Sequence, residues 1–282
     1  MFLQHTEAIA DTLKTAAKAD ASQDTGWIMH HILDSRTLDF EPFGTIHLPT
    51  IHLFGYDISI TKHVVFLWVA AVILIVLLTL ASRAYKKSLV PKGISNLMEV
   101  LIVFVRDEIA KPTIGKGFEK FLPYLLTAFF FILTCNFVGL VPYTATSTSN
   151  ISVTATLAII SFFVIQAGGI MKNGVFGYFK GLIPHGVPAW LLPIMFVVEL
   201  LGLFTKPFAL AIRLFANMTA GHIVILALLG LIIILRTYFV APVSVAFALF
   251  IYLLEVLVAL IQAYIFTMLS SLFIGMAVHQ EH

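Results

Sequence analysis

The sequence predicts an all-α polytopic membrane protein, and three observations carry that expectation. Of 282 residues, 60% are hydrophobic and 11% charged, with a mean hydropathy of +0.99. A soluble domain carries about 25% charged residues. Several apolar runs reach the roughly 20 residues that a helix needs to cross a bilayer. These runs do not break into the short alternating segments of a membrane barrel. The one cysteine, Cys135, lies inside an apolar run. No disulfide framework is expected, and a small buried hydrophobe is.

Residues 1–62 stand apart as a polar N-terminal extension with eight acidic and four basic residues. Pro42 and Pro49 break any long helix there. A solvated tail with a short amphipathic piece near Trp27 is expected. Met1 to Asp24 lacks the apolar stretch of a secretory signal. His30 and His31 invite a metal reading, but no thiol and no recognisable ligand set accompany them. No metal is expected.

Residues 63–282 are the expected transmembrane domain. His63 to Ala81 is the first span, followed by Arg83, Lys86 and Lys87. From Ile94 to Ile109, Leu97, Leu101, Val105 and Ile109 recur every four residues, with Glu99, Arg106, Asp107 and Glu108 between them. That pattern suits an amphipathic helix lying in the interface. Residues 83–120 hold eight basic and four acidic residues. The excess puts this segment on the cytoplasmic side. Phe121 to Val141 is the second span, and the uncharged link Pro142 to Asn150 falls outside. Ile151 to Met171 is the third span, and Lys172 and Lys180 bring the chain back inside. A Gly/Pro-rich link, Gly174 to Pro188, follows. Ala189 to Leu235 and Pro242 to Val278 each exceed one upright crossing. The first reads as two spans or as one long, strongly tilted helix. The N-terminus is then periplasmic and the C-terminus cytoplasmic.

The candidate functional residues lie in those two long runs. Glu199 to His222 reads ELLGLFTKPFALAIRLFANMTAGH. Arg213 has no acidic residue within ten positions on either side. Arginine keeps its proton in proteins. At the centre of a membrane helix its charge costs at least about 2.5–3.5 kcal/mol. Glu199, Lys206 and Arg213 are seven apart, so they drift only about 20° per step along a helix. Asn217, four beyond Arg213, joins that face. His222 is nine beyond Arg213 and points the other way on a straight helix. Glu199 and Lys206 can also be read as side chains snorkelling towards water. On the last run, Glu255 and Gln262 are seven apart. The two runs can pack as a hairpin, with Arg213 and Gln262 looking outwards and His222 and Glu255 lining hydrated cavities. A structural His222–Glu255 pair and an interhelical hydrogen bond from Gln262 are the plainer readings.

KPFALAIRLFANMTAGH closely resembles the signature of the a subunit of the membrane (Fo) sector of F-type ATP synthases. NFVGLVP, the TSNISVTATLAI stretch after it, and LEVLVALIQAYIFTMLSSLFIG resemble the family's other blocks. The likeness covers roughly residues 60–278. It implies a first upright helix, an interfacial segment, two further helices, and two long steeply tilted helices against a ring of c subunits. Arg213 matches the essential arginine for proton translocation. Glu199, Asn217 and Gln262 match polar positions beside the rotor-facing path. His222 and Glu255 match a proton-handling pair whose members are exchanged in some bacterial chains.

The resemblance also implies the work. A non-catalytic stator subunit supplies two proton half-channels to the c-ring and the arginine that separates them. Its partners are the c-ring, the peripheral-stalk b subunits, the rest of the ATP synthase and the lipid bilayer. No cofactor and no nucleic acid are implied. Neither GxxxxGK[ST] nor GxGxxG occurs, so nucleotide chemistry belongs to other subunits. A bacterial inner membrane fits better than an organelle. The coupling ion is expected to be the proton rather than sodium. The rival reading is a secondary transporter in which Arg213 binds an anionic substrate. Such folds show internal repeats, and none is visible here.

Overall fold

A computed structural model describes residues 34–35, 37–40, 44–49, 52–53, 56–57, 59–87, 93–141, 144–181, 191–235 and 239–279. Trp27, His30 and His31, and the expectations resting on them, lie outside these residues. The chain divides into two compact units, each assembled from separated segments. One comprises residues 1–62 and 219–255, the other residues 63–218 and 256–282.

In the first unit, the polar extension contains strands as well as irregular chain. β1 (Thr37–Phe40) pairs antiparallel with β2 (Gly44–His47), with Thr37 opposite His47. β3 (His52–Leu53) pairs with β4 (Tyr56–Asp57). Two-stranded ribbons are marginal alone. A backbone bond from Lys62 to the Ser35 carbonyl, 3.0 Å, ties this region to the start of the first long helix.

The helices follow in chain order. They are α1 (Lys62–Lys87), α2 (Ile94–Phe104), α3 (Lys111–Ile114), α4 (Leu122–Gly139), α5 (Ile151–Gly181), α6 (Leu192–Leu235) and α7 (Ala241–Val278). Among the described residues, five helices, α1 and α4 to α7, are long and apolar enough to cross a membrane. The chain is a multi-pass integral membrane protein. The run read as either two spans or one holds a single helix of 44 residues, Leu192–Leu235. At 1.5 Å per residue it is about 66 Å long, twice the roughly 30 Å of hydrocarbon. α7 has 38 residues.

The expected interfacial helix differs in detail. Val105 to Ala110, between α2 and α3, is π-helical. Val105 and Ile109 are fully buried, but Leu97 is 55% exposed. A repeat of four drifts about 40° per step on a 3.6-residue helix, which carries Leu97 off the buried face. The buried side of α2 uses Ser95 and Met98 instead. Beyond it, Arg106 donates to Asp107 at 2.8 and 3.0 Å on the exposed side. That hydrogen bond holds the Asp107 carboxyl below its usual range.

The core of the second unit gathers Val105, Ile109, Ile114, Leu125, Phe129, Leu214, Phe266 and Ile274. Between membrane helices, packing and interhelical hydrogen bonds replace the hydrophobic drive. α7 shows how. Ser271 bonds Thr113 at 2.5 Å, and Ser270 bonds Ser161 at 3.0 Å. Asn173 of α5 donates to the Ala277 carbonyl at 3.1 Å, satisfying one of the free carbonyls at the end of α7.

The NFVGLVP and TSN blocks build a polar knot. Thr148 donates to Asn136 Oδ1 at 2.7 Å, and Asn136 Nδ2 donates to the Ala259 carbonyl at 3.2 Å. Ser147 donates to the His63 carbonyl at 3.1 Å, and His63 Nδ1 lies 3.2 Å from the Thr146 carbonyl. Outside the core, Trp68, Val72, Ile75, Phe163, Phe204 and Phe208 are exposed. In a soluble protein such a surface would aggregate; here it meets lipid.

Candidate functional site

Arg213 sits mid-way along α6. Leu210, Leu214 and Met218, spaced four apart on the other side of the helix, are buried and face inwards. Arg213 and Asn217 lie on the exposed side of the helix. Among the described residues Arg213 makes no hydrogen bond or ion pair. The guanidinium stands alone on an apolar helix.

Asn217, one turn on, reaches α7. Its Nδ2 donates to Oε1 of Gln262 at 2.9 Å. Gln262 is only 2% exposed. The expectation that Gln262 looks outwards beside Arg213 is corrected here. A primary amide in hydrocarbon needs partners. Gln262 finds one in Asn217, and its plainer reading as an interhelical hydrogen bond describes it.

Glu199 and Lys206 share a face with Arg213 by spacing, but they are partly buried and the structure turns them into a cavity. That cavity, about 380 Å³, lies between α5, α6 and the end of α7. Lys206 Nζ lies 5.4 Å from the centre of the Phe273 ring, within cation–π range. Pro207 follows at once inside the helix. It has no backbone N–H, so it leaves the carbonyl four residues earlier without its helical donor. The cationic stripe expected from sequence is therefore split. Glu199 and Lys206 face a polar cavity, and Arg213 faces outwards.

The first unit holds the remaining pair. His222 Nδ1 and Glu255 Oε1 lie 2.5 Å apart. The Glu255 side chain is 4% exposed and that of His222 is 25% exposed. A buried carboxylate requires a partner, and the imidazole supplies one. Sequence reasoning missed the residue that makes room for them. A Cβ built on Gly221 would fall 2.7 Å from Glu255 Oε1 and 3.0 Å from its Cδ. Only glycine lets the carboxyl lie against the α6 backbone there. The available signal was a glycine next to a histidine within an apolar helix. An imidazole touching a carboxylate can pass a proton in either direction.

Among the described residues, no group of three or more His, Cys, Asp or Glu side chains is placed to hold a metal ion. The family model described as "ATP synthase A chain" matches residues 64–275. The chain is 59% identical over 259 residues to "ATP synthase subunit a" of Chloroherpeton thalassium, covering 90% of this chain and 77% of that one. It is 54% identical over 277 residues to "ATP synthase subunit a 2" of Chlorobaculum tepidum, covering 97% and 77%. "ATP synthase subunit a" of an Anaeromyxobacter species is 47% identical over 306 residues, covering 95% and 75%.

Proposed function

The chain belongs to the family of ATP synthase A chains, and on that premise we propose that it is the stator subunit that carries protons past a rotor in the membrane. One observation carries the reading: an exposed Arg213, mid-helix, without hydrogen bond or ion pair among the described residues. A permanent charge in hydrocarbon calls for a counter-charge or water. No described residue of this chain supplies the counter-charge, and on this reading it comes from another chain. The partner that fits is a ring of c subunits, each carrying one membrane-embedded carboxylate.

The mechanism follows from electrostatics. A guanidinium beside a carboxylate favours its ionised form. Each ring carboxylate releases its proton into one half-channel, passes Arg213 as an anion, and takes a proton from the other. Arg213 cannot shuttle a proton, so it also separates the two half-channels. The Asn217–Gln262 bond keeps these amides from competing for Arg213. His222 and Glu255 serve the outer pathway, and Glu199 the inner one. α6 and α7, being overlong, run steeply tilted along the rotor as a hairpin.

Charge sets the orientation. The basic residues between Arg83 and Lys120 and at Lys172 and Lys180 lie on the cytoplasmic side. Five crossings then leave the N-terminus periplasmic and the C-terminus inside. The peripheral-stalk b subunits dock on the same assembly, and ATP is made by other subunits. A transporter site would enclose its substrate, whereas Arg213 lies on an outward face, so that reading loses its support.

The test is Arg213→Ala in the whole complex reconstituted into vesicles. Proton-driven ATP synthesis is expected to vanish, while the detached catalytic sector still hydrolyses ATP. Full synthesis by that variant would overturn the proposal.

A further inference from the structure

Gly174 bends α5, with φ at 72° inside an otherwise helical segment. The consequence appears at Tyr178. On a straight helix Gly169 and Tyr178 would be about 13 Å apart along the axis and on opposite sides. Instead the Tyr178 ring lies on Gly169, where any Cβ would collide with it. The bend thus folds Tyr178 back towards α6 and α7, and it is 2% exposed there. Tyr178 shares the wall of one cavity with the Gln166 side chain.

Gln166, Tyr178, Glu199, Lys206 and His279 line the cavity of about 380 Å³ together with Phe273. Polar groups from α5, α6 and the residue just past α7 therefore converge on one space. Gln166 Nε2 is buried there, and among the described residues it is the one buried side-chain nitrogen or oxygen without a hydrogen-bond partner. An orphaned amide donor in the interior costs about 1–3 kcal/mol. At roughly 30 Å³ per water, the cavity has room for on the order of ten waters. His279, exposed, stands at its rim.

We infer that this cavity is hydrated, and that Gln166 and Tyr178 are positioning residues that order the waters joining Glu199 to the aqueous edge at His279. The inference rests on the proton-carrying reading above. It adds that α5, through its Gly174 bend, is part of the proton route. The amide donates to a water that the Glu199 side can accept from. The phenol, on the wall of the same cavity, offers those waters a second polar group. Lys206, over Phe273, is held out of a direct plug.

The experiment uses the complete complex in vesicles, with Cys135→Ala removing this chain's one native thiol and the same complex without Gln166→Cys as the labelling control. Gln166→Cys is exposed to a small, charged, membrane-impermeant methanethiosulfonate from each side separately. ATP-driven proton uptake is expected to fall at least about fivefold from one side only, the side on which Lys116→Cys is also labelled. No reaction from either side would show a dry cavity and overturn the inference. In parallel, Gln166→Leu is expected to slow proton flux about fivefold or more per assembled complex, and Gln166→Asn, which keeps an amide donor at the site, to restore much of it. Tyr178→Phe, lacking only the hydroxyl, should fall between them. Full flux in Gln166→Leu would overturn the positioning role. Arg213→Ala, run beside them, keeps the two readings apart. A silent Arg213→Ala with an unchanged Gln166→Leu sinks this inference alone, whereas a fully active Arg213→Ala sinks the reading it rests on.

Discussion

His222 and Glu255 should be exchangeable only together. Their contact is direct, at 2.5 Å, and Glu255 is nearly inaccessible. His222→Glu sets a second carboxylate against Glu255. Like charges at that distance cannot both ionise, so one site must hold its proton. Glu255→His puts two imidazoles together with no acid between them. Each single change therefore leaves a polar group at depth without its complement. Removing one partner of a fully buried ion pair costs about 3–5 kcal/mol. His222 keeps a quarter of its side chain exposed, so a coupling of about 1–3 kcal/mol is the better expectation. In rate that is a factor of roughly five to a hundred and fifty. The double exchange, His222→Glu with Glu255→His, restores one acid and one imidazole and should recover most of that factor. Fluorescence quenching of ATP-driven proton uptake by the four reconstituted complexes closes the cycle. If the double variant pumps no better than the product of the two singles, the residues act independently and the shared pathway is wrong.

Other expectations follow from particular contacts. Arg213→Lys should fail nearly as badly as Arg213→Ala, because a desolvated ammonium can release its proton where a guanidinium cannot; ATP synthesis at half the parent rate would count against this. Gly221→Ala should drive the Glu255 carboxyl off its seat, since the new methyl would lie 2.7 Å from Oε1; overpacking of this kind costs about 1–3 kcal/mol, and proton flux by the assembled complex should drop accordingly, with Gly221→Ser no better. For orientation, cysteines at Ser152 and Lys116, both exposed, should react with an impermeant reagent from opposite sides of sealed vesicles. Reaction of both from one side would refute the assignment.

The helices were legible because bilayer thickness leaves a strong compositional trace. Every expected span lies within a helix to within a few residues, and Ala189 to Leu235 was legible as overlong but not as unbroken. The failures have a common cause. Spacing along one helix predicts which residues share a face, but not what that face meets. Glu199, Lys206 and Arg213 were rightly placed near one stripe, yet α5 and α7 cover the first two and leave the third open. Gln262 was expected outside because its partner, Asn217, lies forty-five residues away in the chain. Gly221 carries no polar signal at all; its importance exists only once Glu255 is packed on it. The hairpins of the extension were missed because short polar strands lack the sustained alternation that marks a longer one.

The contrast between the polar groups of α6 and α7 is the strongest physical argument about this chain. Thr267, Ser270 and Ser271 are wholly buried, and each has a partner within its own or a neighbouring helix. Asn217 has Gln262, and His222 has Glu255. Such pairing is what hydrocarbon demands, since an unmet polar group there costs several kcal/mol. A sequence under that demand can satisfy an arginine by setting a carboxylate one turn away, as it meets Asn217 with Gln262 and His222 with Glu255. It does not do so for Arg213: no acidic residue lies within ten positions of it, and no described residue pairs with it. An internal carboxylate would bind the guanidinium permanently and remove it from use. On the proposed function, the counter-charges arrive from outside and leave again. A moving series of carboxylates meets that requirement where a fixed structural partner would not, and under that proposal the outward face of α6 is the working face.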